Sequence, residues 1–194
     1  MRKLIAAMKT SVDGKMEGPD GTADWVEAWS DDYGVMAQVD TCLMGAGMYP
    51  GYEQYWTSIQ QQPDTPAWIT GKPPTPAERE YARFVAQTPH YVLSNTLTSA
   101  LWPKTRFIRT LEEVAELKRQ PGKDIYVVGG GRTTSSLIDA GLLDELRLIV
   151  YPLIVGPGKG LFETLERRRG LELLGAAPLR EGLLRLSYGV GAAR

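Results

Sequence analysis

Short apolar runs closed by turn residues recur along the first two thirds of the chain. Lys3–Met8, Thr41–Met44, Tyr91–Leu93, Thr105–Ile108 and Asp124–Val128 have the length and composition of buried strands. Helix-start signals fall between them. Thr75-Pro76-Ala77-Glu78 offers an N-cap, a proline at the first helical position and a glutamate at the third. Thr110-Leu111-Glu112-Glu113 repeats the pattern, and Pro121-Gly122 closes that helix. A third helix is predicted from about Arg132 to Ala140, stopped by Gly141. Such alternation predicts a mainly parallel sheet with crossover helices. The last third differs. Leu146–Val155 is almost continuously apolar, as a strand covered on both faces should be. Leu171–Leu174 and Leu183–Val190 follow with no strong helix between them, which predicts antiparallel strands on one edge. The expected fold is therefore α/β, a mixed, mostly parallel central sheet with flanking helices and antiparallel C-terminal edge strands. Residues 1–194 read as one domain, and the proline-rich stretch 60–76 as a surface excursion.

Composition narrows the function. The net charge of −1 gives no electrostatic footprint for nucleic acid or an anionic membrane. With Cys42 as its one cysteine, the chain can form no internal disulfide and no cysteine metal site. Residues 1–9 faintly resemble a signal peptide, but Lys9 ends the apolar stretch after Met8. Leu148–Val155 is too short to span a bilayer and contains Pro152. A cytoplasmic protein acting on a small molecule, with no nucleic-acid, membrane or metal partner, is expected.

The strongest chemical signal is Ile125-Tyr126-Val127-Val128-Gly129-Gly130-Gly131-Arg132-Thr133-Thr134, a buried strand running through three glycines into a helix. Such a junction suits an anion, because the backbone can approach closely and helix N–H groups point at the charge. It also suits a plain flexible turn. Thr133, Thr134 and Ser135 could add hydroxyl donors. Neither the Rossmann nor the P-loop spacing is met. Asp13, after the first strand, could face a ligand crevice or merely form a turn with Gly14. The stretch holding Asp20, Asp24, Trp25, Glu27, Trp29, Asp31 and Asp32 could bind a nitrogen heterocycle or be a solvated segment. Trp25, Trp29, Trp56 and Trp68 read as core or dimer contacts before pocket walls. His90, the only histidine, would have to serve any serine-hydrolase triad, and a structural role suits it better. Hydride transfer, where a cofactor carries the chemistry, fits what remains.

Several of these stretches together resemble the dihydrofolate-reductase-like superfamily, and within it the reductase domain of bacterial riboflavin biosynthesis. They are Ser11-Val12-Asp13-Gly14-Lys15, Asp40–Gly45, Tyr52-Glu53 with Tyr55-Trp56, and Tyr91–Leu97. The glycines at 129–131 and the long run from Leu137 to Phe162 complete the set. The resemblance implies an eight- or nine-stranded mixed sheet, NADPH as cofactor and a homodimer. It places Val128, Gly129, Gly130, Gly131, Arg132 and Thr133 at the pyrophosphate, with Ala7, Gly45 and Ala46 bordering the cofactor. Ser94, Asn95 and Thr96 would lie against the adenosine ribose phosphate. Asp13 would face substrate or nicotinamide, and Asp24, with Asp31 and Asp32 as rivals, would be the substrate-binding carboxylate. Two departures matter. Family members usually carry arginines where this chain has Ala46 and Asn95, which weakens a preference for NADPH over NADH. Val128 stands where makers of the riboflavin precursor carry a glutamate, which argues against that step. The implied activity is reduction of a C=N or C=O bond in a small pterin- or pyrimidine-like ring. The alternative is a non-catalytic dinucleotide- or ligand-binding protein on the same fold.

Overall fold

A computed structural model describes residues 1–26, 29 and 31–193, with backbone alone for 192 and 193. The strands are β1 (Leu4–Ser11), β2 (Lys15–Glu17), β3 (Val39–Gly45), β4 (His90–Leu93), β5 (Thr105–Ile108), β6 (Asp124–Val128), β7 (Glu145–Tyr151), β8 (Lys159–Gly160), β9 (Arg169–Pro178) and β10 (Leu184–Ala193). The helices are α1 (Tyr49–Gln61), α2 (Pro76–Gln87), α3 (Leu111–Arg119) and α4 (Gly131–Asp139). Eight strands form one sheet in the order β5-β4-β3-β6-β1-β7-β10-β9, and β2 pairs with β8 in a small ribbon. The six strands from β5 to β7 run parallel, while β10 and β9 close the edge antiparallel.

The period-2 alternation of a strand explains why the central runs read as unbroken hydrophobicity. In β1, Ile5 and Ala7 pack toward the aromatic layer of α1 and α2, and Leu4, Ala6 and Met8 toward the layer of α3 and α4. Both anticipated capping boxes form. Thr75 accepts from Glu78 N–H at 3.2 Å while Glu78 accepts from Thr75 N–H at 2.7 Å, and Thr110 and Glu113 repeat the exchange. Gly141 takes φ +68° just past α4, as a helix stop requires.

Three elements depart from expectation. The sequence reading placed no helix over 49–61, yet α1 runs there, with Pro50 tolerated in its first turn. Its buried side chains Tyr49, Tyr52, Tyr55, Trp56 and Ile59 make the apolar stripe, so packing overrides the weak helix propensity of aromatics. β7 stops at Tyr151 instead of Val155, because Pro152 has no N–H for the ladder. The edge strand β9 is longer than Leu171–Leu174 and mostly exposed.

Candidate active site

A cleft of about 220 Å³ opens beside the carboxyl end of β6 and the middle of β1. Ala7, Met8 and Lys9 supply one side, and Val128, Gly129 and Gly130 the next. Helices α1 and α2 add Tyr52, Trp56 and Tyr81, and Tyr126 reaches in from β6. Trp29 lies on Tyr81 with ring centroids 3.5 Å apart and planes 17° from parallel. Small-molecule pockets usually span roughly 300–1,000 Å³, so the cleft, with Trp29 closed on Tyr81, is smaller than that range.

The glycine turn is built for close approach. Gly129 and Gly130 have φ of +52° and +82°, the region only glycine enters readily. Gly130 is the N-cap of α4 and no side chain caps it, which leaves the first-turn N–H groups at the positive end of the helix. A β-carbon on Gly131 would sit 2.5 Å from the Leu161 carbonyl oxygen, so this glycine lets the 156–162 loop close against the helix start. Leu161 N–H donates to the Gly14 carbonyl at 3.0 Å and pins that loop. Gly45 abuts Thr133 of α4 in the same way. The glycines thus let Met48, Thr133 and the Leu161 carbonyl pack close around an uncapped helix start, and an uncapped helix start is the kind of place that favours an anion.

The anticipated residues divide clearly. Ala7, Val128, Gly129 and Gly130 line the cleft, and Gly45, Gly131 and Thr133 meet beside it. Thr134 and Ser135 do not serve as ligand donors. Thr134 is fully buried with its hydroxyl donating to Met8 Sδ at 3.7 Å, and Ser135 is buried within the helix layer. Ala46 and the exposed pair Asn95 and Thr96 lie at the ends of neighbouring strands, outside the cleft lining. Arg132 is exposed beyond the turn. Ser94 is buried, and its hydroxyl accepts from the N–H groups of Thr96 at 3.2 Å and Leu97 at 2.9 Å.

Asp13 is a correction. Its carboxylate accepts from the Ser11 hydroxyl at 2.7 Å and from the N–H groups of Val155 at 3.0 Å and Gly156 at 2.8 Å. The Ser11 hydroxyl first, then these amides, hold its pKa down at about 2. It ties two loops together and lies outside the cleft lining. Asp24 sits exposed in a turn, also outside that lining. Asp31 accepts from Val35 N–H, with partial burial raising its pKa, and Asp32 pairs with Arg180 at 3.6 Å. Glu27 lies outside the described residues. Among the described residues, therefore, no carboxylate lines the cleft. Trp56 belongs to the core and Trp25 and Trp29 pack against it, in keeping with core contacts for most of the tryptophans, while Trp29 and Trp56 also form cleft walls and Trp68 is exposed. His90 is sealed in the core, its Nδ1–H donating to the Thr88 carbonyl at 2.8 Å, with no triad around it.

One residue went unnoticed in the sequence. Arg109, just past β5, donates to the carbonyls of Ser94 and Leu97 and so brings a guanidinium to the 94–97 turn. Its only advance signal is its position at a strand end.

The model of the RibD C-terminal domain matches residues 2–184. The chain belongs to this family. Uncharacterized protein YyaP of Bacillus subtilis (strain 168) is 31% identical over 192 residues, 96% of this chain and 94% of that one. Among solved structures, a Shewanella sp. PV-4 protein named for riboflavin biosynthesis superposes with a TM-score of 0.69 at 20% identity, covering 98% of this chain and 99% of its own. Dihydrofolate reductase from Enterococcus faecalis, complexed with NADP(H), gives 0.61 at 16% identity, covering 98% and 97%. The RibD-type domain and the dihydrofolate-reductase-like fold are thus one architecture here. No helix among the described residues is long and apolar enough to cross a membrane.

Proposed function

We propose that this RibD-type domain is a cytoplasmic, NADPH-dependent reductase of a C=N or C=O bond in a small pterin- or pyrimidine-like heterocycle. The observation that carries this reading is the uncapped glycine turn at the start of α4, open beside an aromatic cleft. Gly129–Thr133 would hold the cofactor's diphosphate, with Gly45 and Ala7 flanking it. Arg109, Ser94, Gly45 and Gly129 fall at or just past the carboxyl ends of four adjacent strands, and Ala7, midway along the fifth, is level with Val128. At the usual strand spacing that row is about 19 Å long, which suits an extended dinucleotide. Arg109 would supply the cation for a 2′-phosphate that Ala46 and Asn95 do not, which supports NADPH over NADH. The cofactor, when bound, supplies the hydride. The protein's share is to set two flat groups face to face in the cleft beside Ala7, Trp56 and Tyr126 and to keep water out.

Titration with NADPH and with NADH, followed by quenching of Trp29 and Trp56 and by thermal shift, tests this reading. Saturable binding of NADPH supports it, and no binding of either at millimolar concentration overturns it. The lack of a carboxylate in the described cleft lining favours a second reading, a dinucleotide- or ligand-binding protein without turnover. Cofactor binding with no NADPH oxidation across a panel of pterins and pyrimidines would favour that one.

We propose a homodimer through the free edge beyond β9. Leu171, Leu173 and Leu174 on that strand are 45%, 59% and 53% exposed. A long apolar edge strand of this kind invites pairing.

A further inference from the structure

The cleft contains two kinds of tyrosine. Tyr52 and Tyr81 bond each other through their hydroxyls at 2.8 Å. Outside the lining, Tyr55 donates to Glu78 at 3.3 Å and Tyr49 bonds Glu53 and Thr105. Tyr33 and Tyr126 differ. Both line the cleft and are only 5% and 2% exposed, yet among the described residues no hydrogen-bond partner meets either hydroxyl. Neither oxygen is among the polar atoms sealed away without a partner, as Trp25 Nε1 and His90 Nε2 are, so each keeps some solvent contact on a ring that lines the cleft. Each is a phenol on a largely buried ring whose hydroxyl has no protein partner, and such a group calls for an explanation. The lining around them is largely aromatic and sulfur-rich, with Trp29, Trp56, Met8, Met16 and Met48, and it includes the charged Lys9.

We infer that the hydroxyls of Tyr33 and Tyr126 are the polar anchor for the substrate, which is an uncharged flat ring bearing a carbonyl oxygen. This rests on the reductase reading and names what its cleft accepts. Phenols donate well to a carbonyl, and the aromatic and methionine side chains of the lining supply apolar walls for the ring. Burial pushes both phenols well above their ordinary pKa, so they stay neutral donors at physiological pH. A ring that presents only amino groups finds no acceptor in them beyond a phenol lone pair. The anchor therefore discriminates between carbonyl and amino rings.

Tyr33→Phe and Tyr126→Phe test the inference, with lumazine (pteridine-2,4-dione) and 2,4-diaminopteridine as probes. Binding is read from tryptophan quenching in the full chain. The wild type should bind the dione. Each variant should bind it about five- to tenfold more weakly, the loss of one neutral hydrogen bond. Affinity for the diamino ring, which offers the phenols ring nitrogens but no carbonyl oxygen, should fall less than that for the dione in each variant. Melting temperature should hold or rise in both variants, because the hydroxyl removed had no protein partner. Unchanged dione affinity in both variants overturns the proposal, meaning the hydroxyls hold only water. So does failure of the wild type to bind the dione, or a fall of several degrees in melting temperature in both variants. NADPH titrated in parallel keeps the two ideas apart, since its failure to bind removes the reductase reading whatever the rings do.

Discussion

A β-carbon on Gly45, the last residue of β3, would lie 2.2 Å from Thr133 Oγ1 in the first turn of α4. The bare backbone at 45 thus lets a strand end touch the helix start proposed to hold the diphosphate. Gly45→Ala should force Thr133 from its rotamer at about 1 kcal/mol and weaken NADPH about tenfold. Removing the hydroxyl as well, in Gly45→Ala with Thr133→Ala, should relieve the crowding, so the two changes are not additive. Strictly additive losses in a double-mutant cycle would show that the contact does not shape the site.

How legible a feature was in the sequence follows the sequence distance of the contacts that create it. Capping boxes at Thr75 and Thr110 and the turn at 129–131 depend on residues two or three apart, and all were readable. Helix α1 depends on its tyrosines meeting α2 and the sheet, so its own propensities concealed it. The role of Asp13 is written 142 and 143 residues away, at Val155 and Gly156, and no local pattern could reveal it. The stacking of Trp29 on Tyr81 is equally nonlocal. Cofactor-side residues were therefore easier to find than those facing the substrate.

Arg109 should decide between the two nicotinamide cofactors. Its guanidinium is held by the Ser94 and Leu97 carbonyls beside the exposed residues 95 and 96. Arg109→Gln should weaken NADPH about tenfold, as loss of a charged contact does, and leave NADH unchanged. Parallel fluorescence titrations measure this. Equal weakening of both cofactors would mean that Arg109 only braces the turn.

The exposed leucines of β9 should hold two copies together. Leu173→Glu places a charge on the apolar edge, where like charges from two copies would meet across an isologous interface. Analytical ultracentrifugation should show a dimer for the native chain and a monomer for the variant. A monomeric native chain at tens of micromolar concentration would remove the dimer proposal.

Asp13 should matter to stability and not to ligand binding. Its folded pKa of about 2 lies below the ordinary 3.8, chiefly because the Ser11 hydroxyl and the Val155 and Gly156 amides favour the charged form. Its contribution is therefore present above pH 4 and is lost as pH falls toward 2. Asp13→Asn should melt below the native protein at pH 7, with the gap closing across that acid window, and should bind NADPH normally. Lost cofactor or ring binding with unchanged melting would return Asp13 to the active site.

His90 should govern acid stability at higher pH than Asp13. Burial pushes its pKa down from 6.5 to about 4, only partly opposed by its bond to the Thr88 carbonyl. Below pH 6.5 the unfolded chain binds a proton at His90 that the folded chain refuses until near pH 4. Stability is thus fully present above 6.5 and falls through that interval, by on the order of 3 kcal/mol. His90→Gln keeps a polar donor without a titrating ring. It should melt lower at pH 7, because packing against Tyr49, Tyr52 and Trp102 is lost. Between pH 6.5 and 4.5, however, its melting temperature should decline less than that of the native chain. Parallel decline of the two would place the acid sensitivity elsewhere.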